Sequence, residues 1–166
     1  MRVEIFEATA LHAEAITQLL LQLGYPDNTA AVVHRIEENQ RPDYKIFVAA
    51  VNQQVAGVIA VHTYTYLHTP GQIGRIMTFC VDESLRGSGI GTQLLTHAEK
   101  YLAEKNCIKV ELNSNNRRTE THLFYKQRGY EQTSLHFVKK LNWIRYQPSS
   151  ISGKKSSWTG LSSQVQ

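Results

Sequence analysis

The 166-residue sequence is 42% hydrophobic and 19% charged, a composition typical of a globular domain. No apolar run reaches the roughly 18 residues that span a bilayer, and the first ten residues lack the apolar stretch of a secretory signal. Two cysteines without framework spacing favour a reducing compartment. We therefore expect a cytoplasmic protein with no membrane partner.

The positive charge is concentrated at the C-terminal end. The formal net charge is +4, but from residue 143 onward there are three basic residues and no acidic one, which leaves residues 1–142 nearly neutral. A nearly neutral domain is not expected to bind nucleic acid, and a nucleic-acid-binding tail is the remaining alternative. Residues 143–166 are serine-rich and aperiodic, so we predict a domain over 1–142 followed by a flexible tail.

The spacing of apolar residues predicts the elements in chain order. Alternation indicates strands, and recurrence at three to four residues indicates helices. The predicted elements of the first half are strand 3–9, helix 11–23, helix 29–39, strand 44–51 and strand 55–67. Those of the second half are strand 75–81, helix 90–105, strand 108–112, helix 119–128 and strand 135–141. This order predicts an α/β domain with a mixed, mostly antiparallel sheet and helices on both faces.

A glycine-rich stretch, "VDESLRGSGIGTQLL", joins a predicted strand to a predicted helix. Backbone amides at a helix N-terminus commonly bind anions. The stretch is not a nucleotide P-loop, because no lysine follows Gly91. It is not the dinucleotide fingerprint G-x-G-x-x-G either, because counting from Gly87 places Thr92 in the third glycine position. Redox and phosphoryl-transfer functions that depend on those loops are therefore excluded.

The same stretch fits R-x-x-G-x-G through Arg86, Gly89 and Gly91. It resembles the acetyl-CoA signature [QR]-x-x-G-x-[GA] of the GNAT superfamily of N-acetyltransferases. Downstream, "HLFYKQRGY" is similar to the second acetyl-CoA motif of that family. "RRTETHLFYKQRGY" also resembles a subset with an R-x-x-A-H-x-F-Y pattern, although Thr121 replaces the alanine. The resemblance covers residues 3–141.

The resemblance implies acetyl-CoA as co-substrate and assigns residues to it. The main chain at the strand end would pair with the pantetheine arm, through Phe79, Cys80 and Val81. The pyrophosphate would lie on the backbone amides of the glycine-rich turn, formed by Arg86, Gly87, Ser88, Gly89, Ile90, Gly91 and Thr92. We expect the glycines to give the phosphate oxygens room. The Arg86 side chain either pairs with phosphate or is solvated, and Asn113 is a further candidate for pantetheine contact.

Tyr125 is the candidate general acid. Its phenol, with an ordinary pKa of about 10, stays protonated at neutral pH and can donate to a leaving thiolate. The alternative is a packed aromatic beside Phe124. Arg118 and His122 share a helix face with Tyr125. His122 would orient the tyrosine, line the cofactor groove or form a structural hydrogen bond.

The sequence leaves several candidates for the general base. Many family members carry a glutamate on the fourth strand, but Arg75 and Met77 occupy the matching positions here and that strand has no carboxylate. A water relay ending at the backbone is one alternative. The side-chain candidates are Glu111, Glu37, Glu38, His62 and His68.

The stretch "HTYTYLH" places His62, Tyr64 and Tyr66 on one strand face. An aromatic and polar face fits an amine substrate through stacking or cation–π contacts, and an exposed strand face is the alternative. We include Glu111 with this candidate substrate side. Seven histidines occur without any metal-ligand spacing, so no metal cofactor is expected.

These observations predict an acyltransferase. It would transfer acetyl from acetyl-CoA to a primary amine by direct attack in a ternary complex, without a covalent enzyme intermediate. The acceptor is a small-molecule amine or a protein amine, and a homodimer is an assembly common in the family. A non-catalytic acetyl-CoA-binding sensor is the alternative, because the strand carboxylate is missing.

Overall fold

The computed structural model describes residues 2–141, in which four α-helices and five strands form. The elements are β1 (Val3–Glu7), α1 (Ala13–Leu23), α2 (Thr29–Glu38), β2 (Tyr44–Val51), β3 (Gln54–Tyr66), β4 (Thr69–Val81), α3 (Ile90–Glu104), β5 (Cys107–Leu112) and α4 (Thr119–Lys126). Short 3₁₀ helices precede α1 and α3, at Ala10–His12 and Glu83–Leu85. None of the helices in residues 2–141 has the length and apolar character needed to cross a bilayer.

The five strands form one sheet in the order β1-β2-β3-β4-β5. All neighbours are antiparallel except β4 and β5, which are parallel. Asn52 and Gln53 both have positive φ in the two-residue β2–β3 turn, a geometry that matches the strand twist. The predicted mixed, mostly antiparallel sheet is confirmed.

Two apolar clusters cover the two faces of this sheet. On one face, Leu94, Leu95 and Leu102 of α3 pack against a cluster that includes Ile59 and Val61 of β3. On the other face, α1 and α2 pack against Val48, Val58 and Cys80, through Ile16, Leu19, Val32 and Ile36. The prediction of helices on both faces is confirmed, because neighbouring residues of one strand enter opposite clusters.

Strand β4 begins at Thr69, six residues earlier than the predicted strand 75–81. The glycines and proline of "TPGQIG" suggest a loop, but these residues pair with β3 and β5. Gly74 is required there by packing, since a Cβ would lie 2.7 Å from the Leu102 side chain. This glycine therefore marks a close helix–strand approach within a strand.

The described residues fall into two units, 2–132 and 133–141. The second contains no helix or strand, so the predicted strand 135–141 is wrong. Four of its seven residues in 135–141 are apolar, but a strand also requires a neighbour that supplies backbone hydrogen bonds. The predicted flexible tail, 143–166, lies outside the described residues.

The parallel pair β4–β5 separates before β4 ends. Pairing runs only from Gln72 with Cys107 to Ile76 with Leu112, and β4 continues to Val81. On its other side β4 keeps its pairing with β3, interrupted by a bulge. Val61 pairs with Ile76 while Ala60 pairs with Thr78, which leaves Met77 as the extra residue. The outer edge of β4 is therefore open from Met77 onward among the described residues.

Candidate active site

A cleft of about 1590 Å³ opens where β4 and β5 separate. Its lining includes the end of β4, the start of α3, the segment after β5 and the face of α4 that carries Phe124 and Tyr125. The α1–α2 loop and Arg35 of α2 line the same cleft. Because α1 and α2 pack on one face of the sheet and α3 on the other, the cleft is bordered by elements from both faces.

The backbone groups of the open β4 edge alternate in direction. The amide of Asp82 donates to the carbonyl of Ala56 at 2.8 Å, which fixes the pattern of the β3–β4 ladder. Since hydrogen-bonded and non-bonded pairs alternate, Cys80 bonds toward β3, and Phe79 and Val81 direct their N–H and C=O groups away from it. Of the three residues expected to pair with a pantetheine arm, Phe79 and Val81 present their backbone to the cleft.

Cys80 has a different environment. Its side chain is buried in the cluster under α1, and its thiol donates to the carbonyl of Leu19 at 3.3 Å. Burial raises the pKa of this thiol, and the nearby Arg86 guanidinium opposes the shift. The side chain of Cys80 is a core residue, and its main chain is bonded within the sheet.

The glycine-rich turn lies at the N-terminus of α3. Gly87 and Gly89 have φ of +79° and +87°, a left-handed conformation that favours glycine. A Cβ at either position would meet nothing within 4 Å, so the space above the turn is open. The glycines are therefore required by the backbone conformation of the turn. This reason adds to the space for a ligand that the sequence suggested. The first amides of α3 have no intrahelical partners, a general property of helix N-termini.

The other residues of the turn have distinct surroundings. The Ile90 side chain is fully buried in the core. The Ser88 hydroxyl donates to the carbonyl of Leu85 at 2.5 Å. Gly91 faces inward, where a Cβ would lie 3.5 Å from atoms of Phe79 and Val81. Ligand contacts of Ser88 and Ile90 are thus expected through backbone amides.

Four arginines give the turn side of the cleft a positive charge. They are Arg86, Arg117, Arg118 and Arg128, and Glu120 is the acidic residue on that side of the lining. The Arg86 Nε donates to the carbonyl of Val81 at 3.3 Å, which holds its side chain along the end of β4. This basic surface is suited to a ligand that carries several phosphates.

Arg128 joins α4 to the glycine-rich turn. Its guanidinium lies 3.7 Å from the Phe124 ring centroid and donates to the Phe124 carbonyl at 2.8 Å. It also donates to the hydroxyl of Thr92 in the first turn of α3. Arg128 is not predictable from the sequence, because a contact between two distant helices has no local pattern.

Tyr125 lines the cleft with only 8% of its surface exposed. Its ring lies 5.4 Å from the rings of Phe124 and Tyr130 and 6.4 Å from that of Phe79. Burial raises the pKa of its phenol to about 12, and the nearby Arg118 charge partly opposes the shift. The phenol is therefore protonated at neutral pH.

Two residues predicted to share a face with Tyr125 bond elsewhere. Arg118 donates to the carbonyl of Leu23, the last residue of α1, at 2.9 Å. His122 Nε2 lies 3.0 Å from the carbonyl of Asn115. Of the three roles considered for His122, this geometry fits a structural hydrogen bond.

The segment after β5 contributes Asn113 and Ser114 to the cleft. The Ser114 hydroxyl is buried without a hydrogen-bond partner among the described residues. Since buried hydroxyls are generally satisfied, a bound ligand is a suitable partner for it. The sequence analysis included Asn113 and missed Ser114.

Glu111 is the centre of a polar cluster on β3, β4 and β5. Tyr64 donates to its carboxylate, Tyr66 donates at 3.0 Å, and Arg75 and Lys109 approach within 3.4 and 3.3 Å. The structure therefore joins three of the four candidate substrate residues by hydrogen bonds, and the ring of the fourth, His62, stacks on Tyr64. The cluster does not form part of the cleft lining.

The environment of Glu111 decides its protonation. Burial alone would raise its pKa, but hydrogen bonds from Tyr64 and Tyr66 and the charge of Lys109 outweigh burial and lower the pKa overall. A carboxylate held ionised in this way is a weak proton acceptor near neutral pH. These contacts favour a structural anion over a general base.

The other candidate bases also lie outside the cleft lining. His62 Nε2 lies 3.0 Å from Asp43, and its ring stacks on Tyr64 at 5.8 Å. Glu37, Glu38 and His68 are exposed. The structure does not bring any of these side chains to Tyr125.

The α1–α2 side of the cleft contains an ion pair that the sequence analysis did not include. Arg35 Nη2 donates to Asp27 Oδ2 at 2.6 Å, and Asp27 Oδ1 accepts from the amide of Asn28 at 2.8 Å. The hydrogen bond from Arg35 lowers the pKa of Asp27. Tyr25 and Met77 line the same side and are 63% and 48% exposed.

Comparison with known proteins identifies the family. Residues 12–130 match the model of the acetyltransferase (GNAT) family. The chain belongs to the GNAT acetyltransferase family. The resemblance stated from the glycine-rich motif is confirmed at this level, and membership of the R-x-x-A-H-x-F-Y subset stays a prediction.

A relative in Salmonella typhimurium, an aminoalkylphosphonate N-acetyltransferase, is 35% identical over 100 residues. The match covers 60% of this chain and 65% of the relative, so this chain matches slightly less than two thirds of that protein.

Solved structures confirm the fold. A GNAT family acetyltransferase from Staphylococcus aureus has a TM-score of 0.73 and 23% identity, covering 85% of this chain and 100% of its own. An aminoglycoside N-acetyltransferase solved with CoA has a TM-score of 0.76 and 18% identity, covering 85% of this chain and 95% of its own. In residues 2–141, no group of three or more His, Cys, Asp or Glu side chains is arranged to hold a metal ion.

Proposed function

We propose that this GNAT family member transfers acetyl from acetyl-CoA to a primary amine within a ternary complex. The observation that carries the proposal is the open outer edge of β4 at Phe79 and Val81, beside the glycine-rich turn. An extended ligand arm can pair with that edge as an added strand does. Its phosphates then reach the start of α3.

The side chains around the cleft fit acetyl-CoA. The open space above Gly87 and Gly89 admits a pyrophosphate to the first amides of α3, and Arg86, Arg117 and Arg128 supply opposite charge. The pantetheine arm lies along Phe79 and Val81. At the β5 side, Asn113 lines the cleft beside the arm, and the unpartnered Ser114 hydroxyl offers a further hydrogen bond.

In the reaction, the amine nitrogen attacks the thioester carbonyl carbon, a C–N bond forms and the C–S bond breaks. The Tyr125 phenol donates its proton to the leaving sulfur, and the phenolate that remains takes up a proton from water. Burial keeps this phenol protonated, because its pKa lies near 12. The cleft between β4 and β5 positions the amine next to the thioester, and this positioning supplies much of the rate enhancement.

The proton that the amine loses passes to water in this proposal. Strand β4 contains no carboxylate, and the pKa of Glu111 is lowered by its partners. Water in the cleft can accept this proton without the help of a further side chain. The amine must then be deprotonated before it attacks, so we expect the rate to rise with pH.

A small amine is the acceptor class that the comparisons support. The relative from Salmonella typhimurium is named for aminoalkylphosphonates and the structural neighbour for aminoglycosides, and both names denote amine acceptors. A protein amine is the alternative acceptor. The cytoplasmic location and a homodimeric assembly stay predictions.

A thiol-release assay tests the proposal. The chain is incubated with acetyl-CoA and a panel of primary amines, and free CoA is measured against reactions without amine. Amine-dependent CoA release supports acetyl transfer. Saturable acetyl-CoA binding without release for any amine supports the second candidate, a non-catalytic sensor, which the missing β4 carboxylate favours.

A further inference from the structure

We propose that Arg35 selects acceptor amines that also carry an oxyanion, a carboxylate or a phosphonate, a few bonds from the reacting nitrogen. This inference rests on the proposed acetyl transfer and specifies its acceptor class. The Arg35 guanidinium lines the cleft from α2 and is paired there with one carboxylate, Asp27.

The position of Arg35 separates it from the surface that suits the phosphates of CoA. The glycine-rich turn belongs to α3, which packs on one face of the sheet. Arg35 belongs to α2, whose residues Val32 and Ile36 pack on the opposite face. The amine acceptor enters from that opposite face if acetyl-CoA lies along the turn and the β4 edge. Arg35 is the cation that α1, α2 and their connecting loop contribute to the described lining.

The Arg35–Asp27 pair is suited to accepting another anion. A guanidinium has five N–H donors, and the contact between Arg35 and Asp27 uses an Nη2 donor. The Arg35 side chain is 49% exposed, so the protein does not enclose it around its contact with Asp27. Asp27 is itself fixed by the amide of Asn28. Asp27 therefore orients the guanidinium, and a ligand oxyanion can share or replace this carboxylate.

Apolar groups beside the pair fit the carbon chain of a small acceptor. Tyr25 and Met77 are both large, are 63% and 48% exposed and line the cleft. Met77 is the bulged residue at the point where the β4 edge opens. A short carbon chain on these side chains would place an anion at Arg35 and a nitrogen toward the open edge. A small amino acid or aminophosphonate has this arrangement.

The test compares matched acceptors. We choose 2-aminoethylphosphonate and β-alanine as anionic acceptors and n-propylamine and ethanolamine as acceptors without an anion, with saturating acetyl-CoA. Arg35→Gln removes the charge, Arg35→Lys keeps it, and Arg41→Gln removes a similarly exposed arginine, paired with Asp43, outside the cleft lining. The phosphonate and carboxylate arms distinguish which oxyanion is preferred.

We expect the wild type to acetylate the anionic acceptors with the higher kcat/KM. Arg35→Gln should lower that value about 10- to 100-fold, mainly through KM, because a charge-assisted hydrogen bond is lost. The neutral acceptors should change less than about threefold. Arg35→Lys should recover part of the preference, and Arg41→Gln should behave as the wild type.

Several results would overturn the inference. Arg35 does not select the acceptor if the wild type uses all four amines equally, or if Arg35→Gln affects both classes equally. Weaker acetyl-CoA binding by Arg35→Gln with unchanged acceptor preference would assign Arg35 to the cofactor instead. A wild type that binds acetyl-CoA and acetylates no amine in a wide panel would contradict the proposed function itself, and this inference with it.

Discussion

The Arg118 guanidinium at the start of α4 donates a hydrogen bond to the carbonyl of Leu23 at the end of α1, at a distance of 2.9 Å. The neighbouring Gln22 side chain donates to Asp82 at 3.1 Å and accepts from the amide of Glu83 at 3.0 Å. The end of α1 is therefore joined both to α4 and to the segment that leads into the glycine-rich turn. These contacts fix the α1–α2 loop relative to both sides of the cleft.

Arg118→Gln tests whether the hydrogen bond to Leu23 stabilises the fold, beyond the positive charge that Arg118 adds to the cleft. We expect a loss of about 1–3 kcal/mol in the free energy of unfolding, because a part-buried carbonyl at a helix C-terminus loses a charged donor. Acetyl-CoA affinity and the acceptor KM should both worsen. Urea unfolding and calorimetric titration measure these effects. Arg117→Gln, an exposed cleft arginine, should weaken acetyl-CoA binding with unchanged stability, and equal stability losses in both variants would contradict the bracing role.

Gly89→Ala tests the anion-binding turn. Alanine at a φ of +87° should cost about 1–2 kcal/mol of stability, and its methyl group should occupy the open space that we assign to phosphate. Gly129→Ala is the matched control, since its φ is +82° and a Cβ there also meets nothing within 4 Å. Both variants should lose similar stability, whereas only Gly89→Ala should bind acetyl-CoA at least tenfold more weakly. The assignment fails if both variants bind it equally well.

Tyr125→Phe tests the proton donor. We expect kcat to fall about 100-fold or more with little change in acetyl-CoA affinity, because the ring packing is kept and the donor is lost. Tyr130→Phe is a matched control, as the Tyr130 hydroxyl donates to Glu99 at 2.8 Å and lies outside the cleft lining. Steady-state kinetics at saturating acetyl-CoA measure the effect. Parallel losses of kcat and affinity would indicate a packing role for Tyr125.

Ionisation of the same phenol should lower the stability of the folded protein at alkaline pH. Its pKa is raised to about 12 in the folded state, above an unfolded value near 10. Its contribution is therefore complete below about pH 10 and is lost as the pH rises from 10 toward 12. Urea unfolding at pH 9, 10 and 11 should show a smaller alkaline loss of stability in Tyr125→Phe than in the wild type. An identical pH dependence would contradict the burial of an ionisable phenol at this site.

Glu111→Gln tests whether the Glu111 carboxylate stabilises the fold as an anion or acts as the general base. The pKa of Glu111 is lowered in the folded state, so its stabilising effect is present above its ordinary pKa of about 4.5 and lost as the pH falls through the folded value. We expect Glu111→Gln to lose about 1–3 kcal/mol at pH 7 and progressively less below about pH 4. The exposed Glu37→Gln serves as the control. Loss of the acidic limb of the kcat profile in Glu111→Gln would instead identify Glu111 as the base.

Much of the fold follows from local sequence patterns. Apolar spacing predicts α1, α2 and α3 because each has one buried face, as Leu94, Leu95 and Leu102 illustrate in α3. The prediction failed where pairing decides structure. Residues 69–74 contain Pro70 and two glycines and yet belong to β4, and residues 135–141, with four apolar side chains, do not form a strand. Local patterns do not specify which segments hydrogen-bond to each other.

The proposed cofactor side of the cleft is more predictable from the sequence than the proposed acceptor side. A single contiguous motif contains Gly87 and Gly89, whose positive φ explains their identity. On the proposed acceptor side, the Asp27–Arg35 pair joins a loop to a helix, and even on the cofactor side Arg128 joins two distant helices. Such contacts depend on how the elements pack, and no residue spacing indicates them.

The direct measurement is the mass-spectrometric analysis of a reaction that contains the full chain, [¹³C-acetyl]-CoA and 2-aminoethylphosphonate, β-alanine, n-propylamine or ethanolamine. We expect an N-acetyl amine that carries the label, formed in a one-to-one ratio with free CoA and strongly reduced in Tyr125→Phe. The contradictory result is saturable acetyl-CoA binding with no labelled amine in any reaction, including a wider amine panel. That result would make the protein an acetyl-CoA-binding module rather than an acetyltransferase.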